Sequence, residues 1–473
     1  MTIIFYHVFL WLYRTGISLI TPWNRKAKLW LEGRKGLLER IRVEMKAAAT
    51  GSAPGSATGG KPIGDSQLPA NQGGKTIWMH CSSLGEFEQG RPLLESLRLR
   101  DPGCRVVLSF FSPSGYEARK DYTGADHVFY LPLDSRRHAR RFIDLVKPEL
   151  VLWVKYDYWY YYLVELKKRN IPTLLISGVF RKDQPFFRWY GRLHRYMLEC
   201  FTHLFVQTED SKKLLAKLGL TDNVTVSGDT RFDRVIGIAR NAEPLPLIEA
   251  FCGQQAVIVA GSTWEEDEEE LDHYANTHPE IRMIIAPHEI GEERLREVEG
   301  LFRYCIRYTQ WAAGAAASHK QQAASPGTAS NSKPGAASRT SANQGAGGRE
   351  PNVLIIDNIG MLSRLYQYAT ITYVGGGFGD DGVHNVLEAA VYGKPVVFGP
   401  VIEKYIEAVE LVDSGGGIVI DSALEAESVF NRLLSDPEEC RQTGEASRSY
   451  VYAKKGATEK IAGYIQENRL LTN

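Results

Sequence analysis

Residues 375–400 read GGGFGDDGVHNVLEAAVYGKPVVFGP, with a glycine-rich turn, a His-Asn pair and a carboxylate three residues later. The β-branched run ITYV at 371–374 precedes three glycines, which let a backbone turn sharply and approach a ligand closely. A helix is predicted to begin at Asn385, with its first amides pointing at a phosphate. Asn385 and Glu388 lie three residues apart on one helical face, where they could bind ribose hydroxyls. The pattern predicts a nucleotide pocket.

A glycine cluster alone predicts no more than a tight connection between strand and helix. Here a second apolar run, residues 395–398, ends in Gly399 and Pro400. Two strand ends and a helix N-terminus therefore meet at one sheet edge, which is where open α/β sheets bind ligands. This convergence favours the nucleotide pocket over a simple turn.

The rest of the chain alternates short apolar runs with amphipathic stretches, a pattern typical of βαβ units. Before a linker near 241–247 the runs are 76–79, 105–110, 127–131, 150–154, 172–177, 203–207 and 224–227. After it they are 256–260, 282–286, 353–356, 371–374, 395–398 and 417–420. We predict an α/β protein with two Rossmann-like domains, 76–240 and 248–473, facing each other across a crevice.

The bulk composition excludes some classes of function. Lys plus Arg equals Asp plus Glu at 56 each, so no global charge directs the chain to nucleic acid. The six cysteines lack metal-binding spacing and fit unpaired thiols in a reducing compartment. The acidic pair Asp380 and Asp381 lies in a glycine loop and is more typical of a solvated turn than of a magnesium site. We expect no metal and no cofactor.

The N-terminal segment, residues 1–46, differs from the rest. Residues 3–20 are apolar and aromatic apart from His7 and Arg14, and residues 25–46 carry eight Lys or Arg against three Glu. This order predicts a membrane anchor that leaves the chain at the cytoplasmic face. A secretory signal fits less well, because the basic residues follow the apolar run. A single span and a helix lying in the interface both fit the composition.

Two segments are dominated by Ala, Gly, Ser, Pro, Asn and Gln, and neither can build a core. Residues 47–75 are predicted to be a flexible linker between the anchor and the first domain. Residues 312–348 are predicted to be an insertion in a surface loop of the second domain.

Candidate catalytic residues of the first domain follow predicted strands. Glu86 lies beside a helix N-terminus, where a carboxylate fixed by backbone amides could act as a general base. The pattern Ser83-x-x-Glu86 also matches an ordinary capping box, and local sequence favours that alternative. Asp157 follows another strand, and Arg231 could meet a developing negative charge or be a surface cation.

In the second domain, candidate phosphate and base contacts also follow predicted strands. Small hydroxyl side chains and free amides there could hold phosphate without a metal. The possible phosphate contacts are Ser262, Thr263 and Gly376.

Taken in order, these motifs resemble those of the 3-deoxy-D-manno-octulosonic acid (Kdo) transferase family, which are membrane-associated GT-B glycosyltransferases. The most specific elements are the glycine turn with His384-Asn385-x-x-Glu388, and His80-x-Ser-Ser-x-Gly-Glu86. The match runs from residue 3 to the C-terminus outside the two low-complexity segments.

The resemblance implies inverting, metal-independent transfer of Kdo from CMP-Kdo to lipid A precursor (lipid IVA) in lipopolysaccharide biosynthesis, at the bacterial inner membrane. It implies that Glu86 accepts the proton of the acceptor hydroxyl, assisted by Asp157 and Arg231. It places CMP at Pro287, His288, Ile359, Gly360, Met361, Asn385, Val386, Leu387 and Glu388. Three residues depart from the commoner family pattern: His288 stands where arginine is frequent, Asp157 where glutamate is, and Arg231 where lysine is.

Two alternatives remain open at the level of sequence. The chain could be another GT-B enzyme, such as a UDP-sugar transferase or a nucleotide-sugar epimerase, although an epimerase needs no membrane anchor. It could also be a non-catalytic membrane protein that binds nucleotide sugars, although such a protein has no need of a general base at Glu86.

Overall fold

The computed structural model describes residues 2–50, 74–323 and 350–471, and the chain divides into two compact units. Unit 1 comprises Met1–Asp233 together with Lys455–Asn473, and unit 2 comprises Arg234–Lys454. Each unit is built on a seven-stranded sheet whose neighbouring strands all pair in parallel. The predicted α/β class with two Rossmann-like domains is confirmed.

The sheet of unit 1 has the strand order β3-β2-β1-β4-β5-β6-β7. Its strands are β1 (Thr76–Cys81), β2 (Arg105–Phe110), β3 (His127–Tyr130), β4 (Leu150–Val154), β5 (Thr173–Gly178), β6 (His203–Val206) and β7 (Val224–Val226). The helices as far as residue 240 are α1 (Thr2–Ile20), α2 (Arg25–Arg34), α3 (Leu37–Thr50), α4 (Leu84–Arg100), α5 (Pro113–Arg119), α6 (Arg136–Val146), α7 (Tyr160–Lys168), α8 (Arg192–Leu198), α9 (Glu209–Ala216) and α10 (Thr230–Arg240).

Both faces of this sheet are covered, which explains why its strands are continuously apolar. Along β1, Trp78 packs into the hydrophobic cluster on one face, while Ile77 and Met79 pack into the cluster on the other. Chain order reverses between the neighbours β1 and β4, so the loops after these two strands form the switch point of the sheet.

The sheet of unit 2 has the order β10-β11-β9-β8-β12-β13-β14, and its switch point lies between β8 and β12. Its strands are β8 (Val257–Thr263), β9 (Arg282–Pro287), β10 (Cys305–Arg307), β11 (Val353–Ile355), β12 (Ile371–Val374), β13 (Val396–Phe398) and β14 (Gly417–Val419). The remaining helices are α11 (Pro246–Cys252), α12 (Glu265–Thr277), α13 (Glu292–Leu301), α14 (Tyr308–Ala323), α15 (Leu362–Leu365), α16 (Leu387–Ala390), α17 (Ile406–Asp413), α18 (Ala423–Ser435), α19 (Pro437–Ala453) and α20 (Ala457–Glu467).

The last helix, α20, belongs to unit 1, whereas the sequence predicts one continuous second domain, 248–473. Ile461 and Ile465 of α20 join the hydrophobic cluster that contains the β1 residues Ile77 and Met79. The Asp233 carboxylate accepts the amides of Gly456 and Thr458 at 2.6 and 2.7 Å, which fixes the start of α20. The first unit also ends at residue 233 and not at 240, so the boundary between the units falls within α10.

Both predicted low-complexity segments begin with residues that belong to a helix. Helix α3 continues to Thr50 and α14 to Ala323, so the first residues of both segments are helical. The other parts, residues 51–73 and 324–349, lie outside the described residues.

Helix α1 is long and apolar enough to cross a membrane by length and composition alone. One face of α1 packs on the rest of unit 1. The Tyr6 hydroxyl donates to the Asp134 carboxylate at 2.5 Å, Leu10 is buried, and the Tyr13 ring contacts the Trp30 ring. The large side chains that α1 exposes are almost all apolar: Ile4, Phe5, Val8, Phe9, Trp11, Leu12, Leu19 and Ile20. The helix therefore lies along the unit with a one-sided apolar surface.

Candidate functional site

Glu86 stands at the switch point of unit 1, in the first turn of α4 directly after β1. It forms the predicted capping box: the Ser83 side chain accepts the Glu86 amide, and the Glu86 carboxylate accepts the Ser83 amide at 3.3 Å and the Ser82 amide at shorter range. The side chain is also buried, with 8% of the residue exposed. A glutamate that only caps a surface helix is normally solvated. The burial of Glu86 is therefore compatible with a role as general base in addition to its role in the capping box.

Burial raises the pKa of Glu86 to about 7, and the neighbouring Asp157 adds to the rise. The backbone amides of Ser82 and Ser83, and the Lys155 ammonium, oppose it. A carboxylate with a pKa near neutrality can accept a proton and release it at physiological pH.

Asp157 lies close enough to Glu86 for its charge to raise the pKa of Glu86. Burial raises the pKa of Asp157, while the nearby Ser82 and Trp159 groups oppose that rise. Its buried Oδ2 atom has no hydrogen-bond partner. Lys155, at the end of β4, holds a left-handed backbone with φ of +53°, which costs energy in a residue other than glycine. An orphaned carboxylate oxygen and a strained backbone at one strand end are features of a functional site.

Arg231 is paired, which the sequence did not predict. Its Nη2 and Nε atoms lie 2.7 and 2.8 Å from Oδ2 of Asp229, and its amide donates to Oδ1 of the same carboxylate. Asp229 is buried and also accepts the side-chain amides of Gln89 and Gln207. Although burial tends to raise the pKa of Asp229, the charge and hydrogen bonds of Arg231, with a contribution from the Lys155 ammonium, leave this pKa below the ordinary value. The pattern Asp229-x-Arg231 is the sequence signal that was missed.

The glycine turn of unit 2 follows β12 and meets the end of β8. Gly375 has no room for a side chain, since an added Cβ would lie 2.5 Å from the Ser262 carbonyl oxygen. Gly376 has a φ of +89°, and its amide donates to the buried carboxylate of Asp267 at 2.7 Å. The Thr263 hydroxyl donates to Glu268 at 2.7 Å. The amide of Gly376 and the hydroxyl of Thr263, both predicted phosphate contacts, therefore already serve the protein itself.

Three aromatic rings meet beside this turn. His288 stacks on Trp264 with ring centres 4.5 Å apart and on His384 with ring centres 4.6 Å apart. The Trp264 indole donates to Nε2 of His384 at 2.8 Å, and the His288 amide donates to the Thr263 carbonyl oxygen. Burial, with a smaller contribution from His288, lowers the pKa of His384 to about 4, so this ring is neutral at pH 7. Trp264 was not predicted as a site residue, because nothing local to its sequence indicates the two histidines.

The predicted helix after the glycine turn begins at Leu387 and not at Asn385. The Asn385 side chain accepts the Leu387 amide and donates to the Glu388 carboxylate at 3.0 Å. Burial raises the pKa of Glu388, against the attraction of the Arg234 guanidinium. Since Val386 and Leu387 are fully buried, their side chains pack in the core, and a ligand at this turn could use only their backbone.

The remaining predicted contacts differ in exposure. Pro287 and Met361 are buried, whereas Ile359 is 88% exposed and Gly360 turns the loop with a φ of +94°. Among the described parts of the chain, no group of three His, Cys, Asp or Glu side chains is arranged to hold a metal ion.

Comparisons with known proteins agree with the motifs. The family model for 3-deoxy-D-manno-octulosonic-acid transferase (Kdo transferase) matches residues 58–234. The chain is 27% identical over 376 residues to a 3-deoxy-D-manno-octulosonic acid transferase of Chlamydia trachomatis serovar A, covering 77% of this chain and 79% of that protein. It is 25% identical over 403 residues to a bifunctional glycosyltransferase/methyltransferase of Fusobacterium nucleatum, where it spans 84% of this chain but only 55% of that protein.

The fold is also found among solved structures. The co-structure of S. aureus MnaA with UDP aligns with a TM-score of 0.52 at 15% identity, over 84% of this chain and 98% of that chain. At this identity the likeness shows the fold alone. Together the family match and the relatives confirm the predicted resemblance to the Kdo transferase family, and the solved structures confirm the predicted GT-B fold.

Proposed function

We propose that this chain transfers Kdo from CMP-Kdo to lipid A precursor, with inversion at the anomeric carbon and without a metal ion. The match to the Kdo transferase family model and the Kdo transferase relatives support the coarser statement, Kdo transfer in lipopolysaccharide biosynthesis. The donor, the acceptor and the residue roles below belong to the proposal.

The observation that carries the proposal is the environment of Glu86: buried at a sheet switch point, held by two backbone amides and beside a second carboxylate. Glu86 accepts the proton of the acceptor hydroxyl while that oxygen attacks the anomeric carbon of Kdo. The bond from this carbon to the CMP phosphate oxygen breaks, and CMP leaves with the electron pair. One displacement inverts the configuration and needs no covalent intermediate.

Asp157 and Arg231 assist this step in different ways. The negative charge of Asp157 helps to keep the pKa of Glu86 near 7, which makes Glu86 a stronger base than an ordinary glutamate. Arg231 stabilises negative charge in the transition state, and its pair with Asp229 fixes the orientation of the guanidinium.

The donor is held by unit 2 in this proposal. Backbone amides of the glycine turn and the first turn of α16, other than those of Gly376 and Leu387, bind the CMP phosphate. The exposed His288 ring, fixed by its stack on Trp264 and His384, contacts the nucleotide from the end of β9. The Glu388 carboxylate binds ribose hydroxyls.

Helix α1 places the enzyme on the membrane that carries the acceptor, at the cytoplasmic face of the bacterial inner membrane. The side chains of Tyr6, Leu10 and Tyr13 hold α1 against the rest of unit 1, while the exposed face of α1 is apolar. This arrangement supports a helix lying in the interface over one that spans the bilayer.

The test is transfer of Kdo, generated in situ as CMP-Kdo, onto lipid A precursor by membranes that contain the full-length protein. EDTA is present in one arm, and a UDP-sugar replaces CMP-Kdo in another. The proposal predicts a product heavier by whole Kdo units that forms with EDTA and does not form with the UDP-sugar. Absence of that product from folded, membrane-bound protein, or its dependence on a divalent metal, would contradict the proposal.

A further inference from the structure

A cavity of about 590 Å³ lies in unit 1, and none of the residues assigned above lines it. It is bounded by α1, by the α2–α3 turn, and by α6 with the segment before it. Its volume falls within the range of small-molecule sites. The polar side chains that line it are Arg14, Arg34, Lys35, Glu39, His138 and Arg141.

Arg34 is one of the cations that line this cavity, and it has no carboxylate partner among the residues that the structure describes. Its guanidinium donates to the carbonyl oxygens of Leu131 at 3.0 Å, of Phe111 at 2.7 Å and of Trp30 at 3.2 Å. It also lies 4.0 Å from the centre of the Trp30 ring. Burial lowers the pKa of Arg34 to about 10, which shows the cost of enclosing this cation. Enclosed cations are normally compensated by an anion.

The one carboxylate at the cavity does not supply that anion. Both oxygens of Glu39 accept the Arg42 guanidinium, at 3.0 and 2.9 Å from its Nε atom, on the exposed side of α3. His138 adds a further polar group, since its Nδ1 atom donates to the Leu133 carbonyl oxygen at 2.7 Å and leaves Nε2 as the other ring nitrogen. The cavity therefore keeps an excess of positive charge.

The cavity adjoins the surface proposed to contact the membrane. Arg14 belongs to α1, and the residues around it on that helix include the exposed Trp11 and Leu12. Trp23, just after α1, is 86% exposed. A headgroup entering the cavity could thus keep its acyl chains beside the apolar face of α1.

We propose that this cavity binds the phosphomonoester headgroup of a membrane lipid. Four permanent cations line it, and a phosphomonoester carries a charge of about −1.5 to −2, more than a phosphodiester. The inference rests on the membrane location in the proposed function, but it adds a lipid site that the transfer reaction itself does not require.

The test compares binding of the full-length protein to vesicles of phosphatidylcholine with phosphatidic acid or with phosphatidylglycerol, at matched surface charge. The first variant, Arg14→Gln with Arg141→Gln, removes two exposed cations at the cavity. The control, Lys26→Gln with Lys28→Gln, removes two exposed cations of the same basic region that do not line it. Arg34 is left in place, because its contacts also hold the fold.

We expect the wild type and the lysine control to prefer phosphatidic acid, and the arginine variant to lose that preference by about tenfold or more, because two charge-assisted hydrogen bonds are lost. Equal preference in both variants would overturn the proposal, since diffuse attraction would then explain binding. Competition by inorganic phosphate as strong as that by phosphatidic acid would overturn the lipid assignment. Kdo transfer in detergent, measured on the same samples, separates the two ideas: failed transfer with intact lipid preference contradicts the proposed function alone.

Discussion

Replacing Glu86 by glutamine should stabilise unit 1 at high pH while it removes the proposed base. The folded state holds Glu86 with a pKa of about 7, against 4.5 in the unfolded chain. Between these values the folded state keeps a proton that the unfolded state has released, so the stability of the wild type falls as pH rises from 4.5 to 7. Glutamine does not ionise and avoids this loss.

The magnitude follows from the size of the shift. Ionising the enclosed carboxylate costs about 3 kcal/mol at pH 8 but only about 1 kcal/mol at pH 5. The glutamine oxygen accepts the Ser82 and Ser83 amides less strongly than a carboxylate does, which offsets this gain by a constant at all pH values. The pH-dependent part is therefore the quantity to measure: a relative gain of about 2.5 kcal/mol between pH 5 and pH 8, or about 70-fold in an equilibrium constant.

Hydrogen exchange followed by mass spectrometry measures this in unit 1 alone, at the amides of β1 and α4. The protection of Glu86→Gln relative to wild type should rise by about this factor from pH 5 to pH 8. Glu95→Gln removes an exposed carboxylate of the same helix and should show no such rise. A ratio for Glu86→Gln that stays constant with pH would contradict this prediction, because Glu86 would then ionise as readily as a solvated glutamate.

Three further predictions concern other parts of the two units. Arg231→Gln should destabilise unit 1 by about 2 kcal/mol in urea unfolding, because it leaves the buried Asp229 carboxylate without its paired guanidinium. Adding Asp229→Asn should recover part of the lost stability, and a double variant no more stable than the single one would contradict the prediction. Gly376→Ala should lower the melting temperature and raise KM for the donor, because a φ of +89° and a Gly382 oxygen 2.6 Å from the new Cβ cost about 2 kcal/mol or more. The control Gly379→Ala should be tolerated, and equal melting temperatures for the two variants would contradict the prediction. The pKa of His384, about 4, lies below the ordinary 6.5, so unit 2 should lose stability as pH falls from 6.5 to 4. His384→Gln should reduce this loss of stability, measured by hydrogen exchange of the β12 amides, and an unchanged loss would exclude His384 as its source.

Most of the fold could be predicted because its signals are local. Buried parallel strands appear as continuous apolar runs bounded by turns, and each predicted run coincides with a strand. The short strand β10 has no such run, since its residues are only partly buried. The return of α20 to unit 1 could not be predicted either, because the contact between Asp233 and Thr458 joins residues 225 positions apart.

The candidate site was predictable only in its individual residues. The capping box around Glu86 is a local pattern, but the burial that raises its pKa depends on neighbours such as Asp157 that a separate strand supplies. Likewise, Trp264, His288 and His384 come from three separate loops. Local sequence can show that a chemical group is present, whereas its partners and its protonation depend on the assembled sheet.

The most direct test of the central claim is the rate of Kdo transfer from CMP-Kdo at pH 8 by wild type and by Glu86→Gln, at equal amounts of folded, membrane-bound protein. We expect the variant to bind CMP-Kdo normally and to transfer Kdo about 10²–10⁴-fold more slowly, because the proposed general base is lost. Transfer by the variant within a few-fold of the wild-type rate would contradict the assignment of Glu86 as the base.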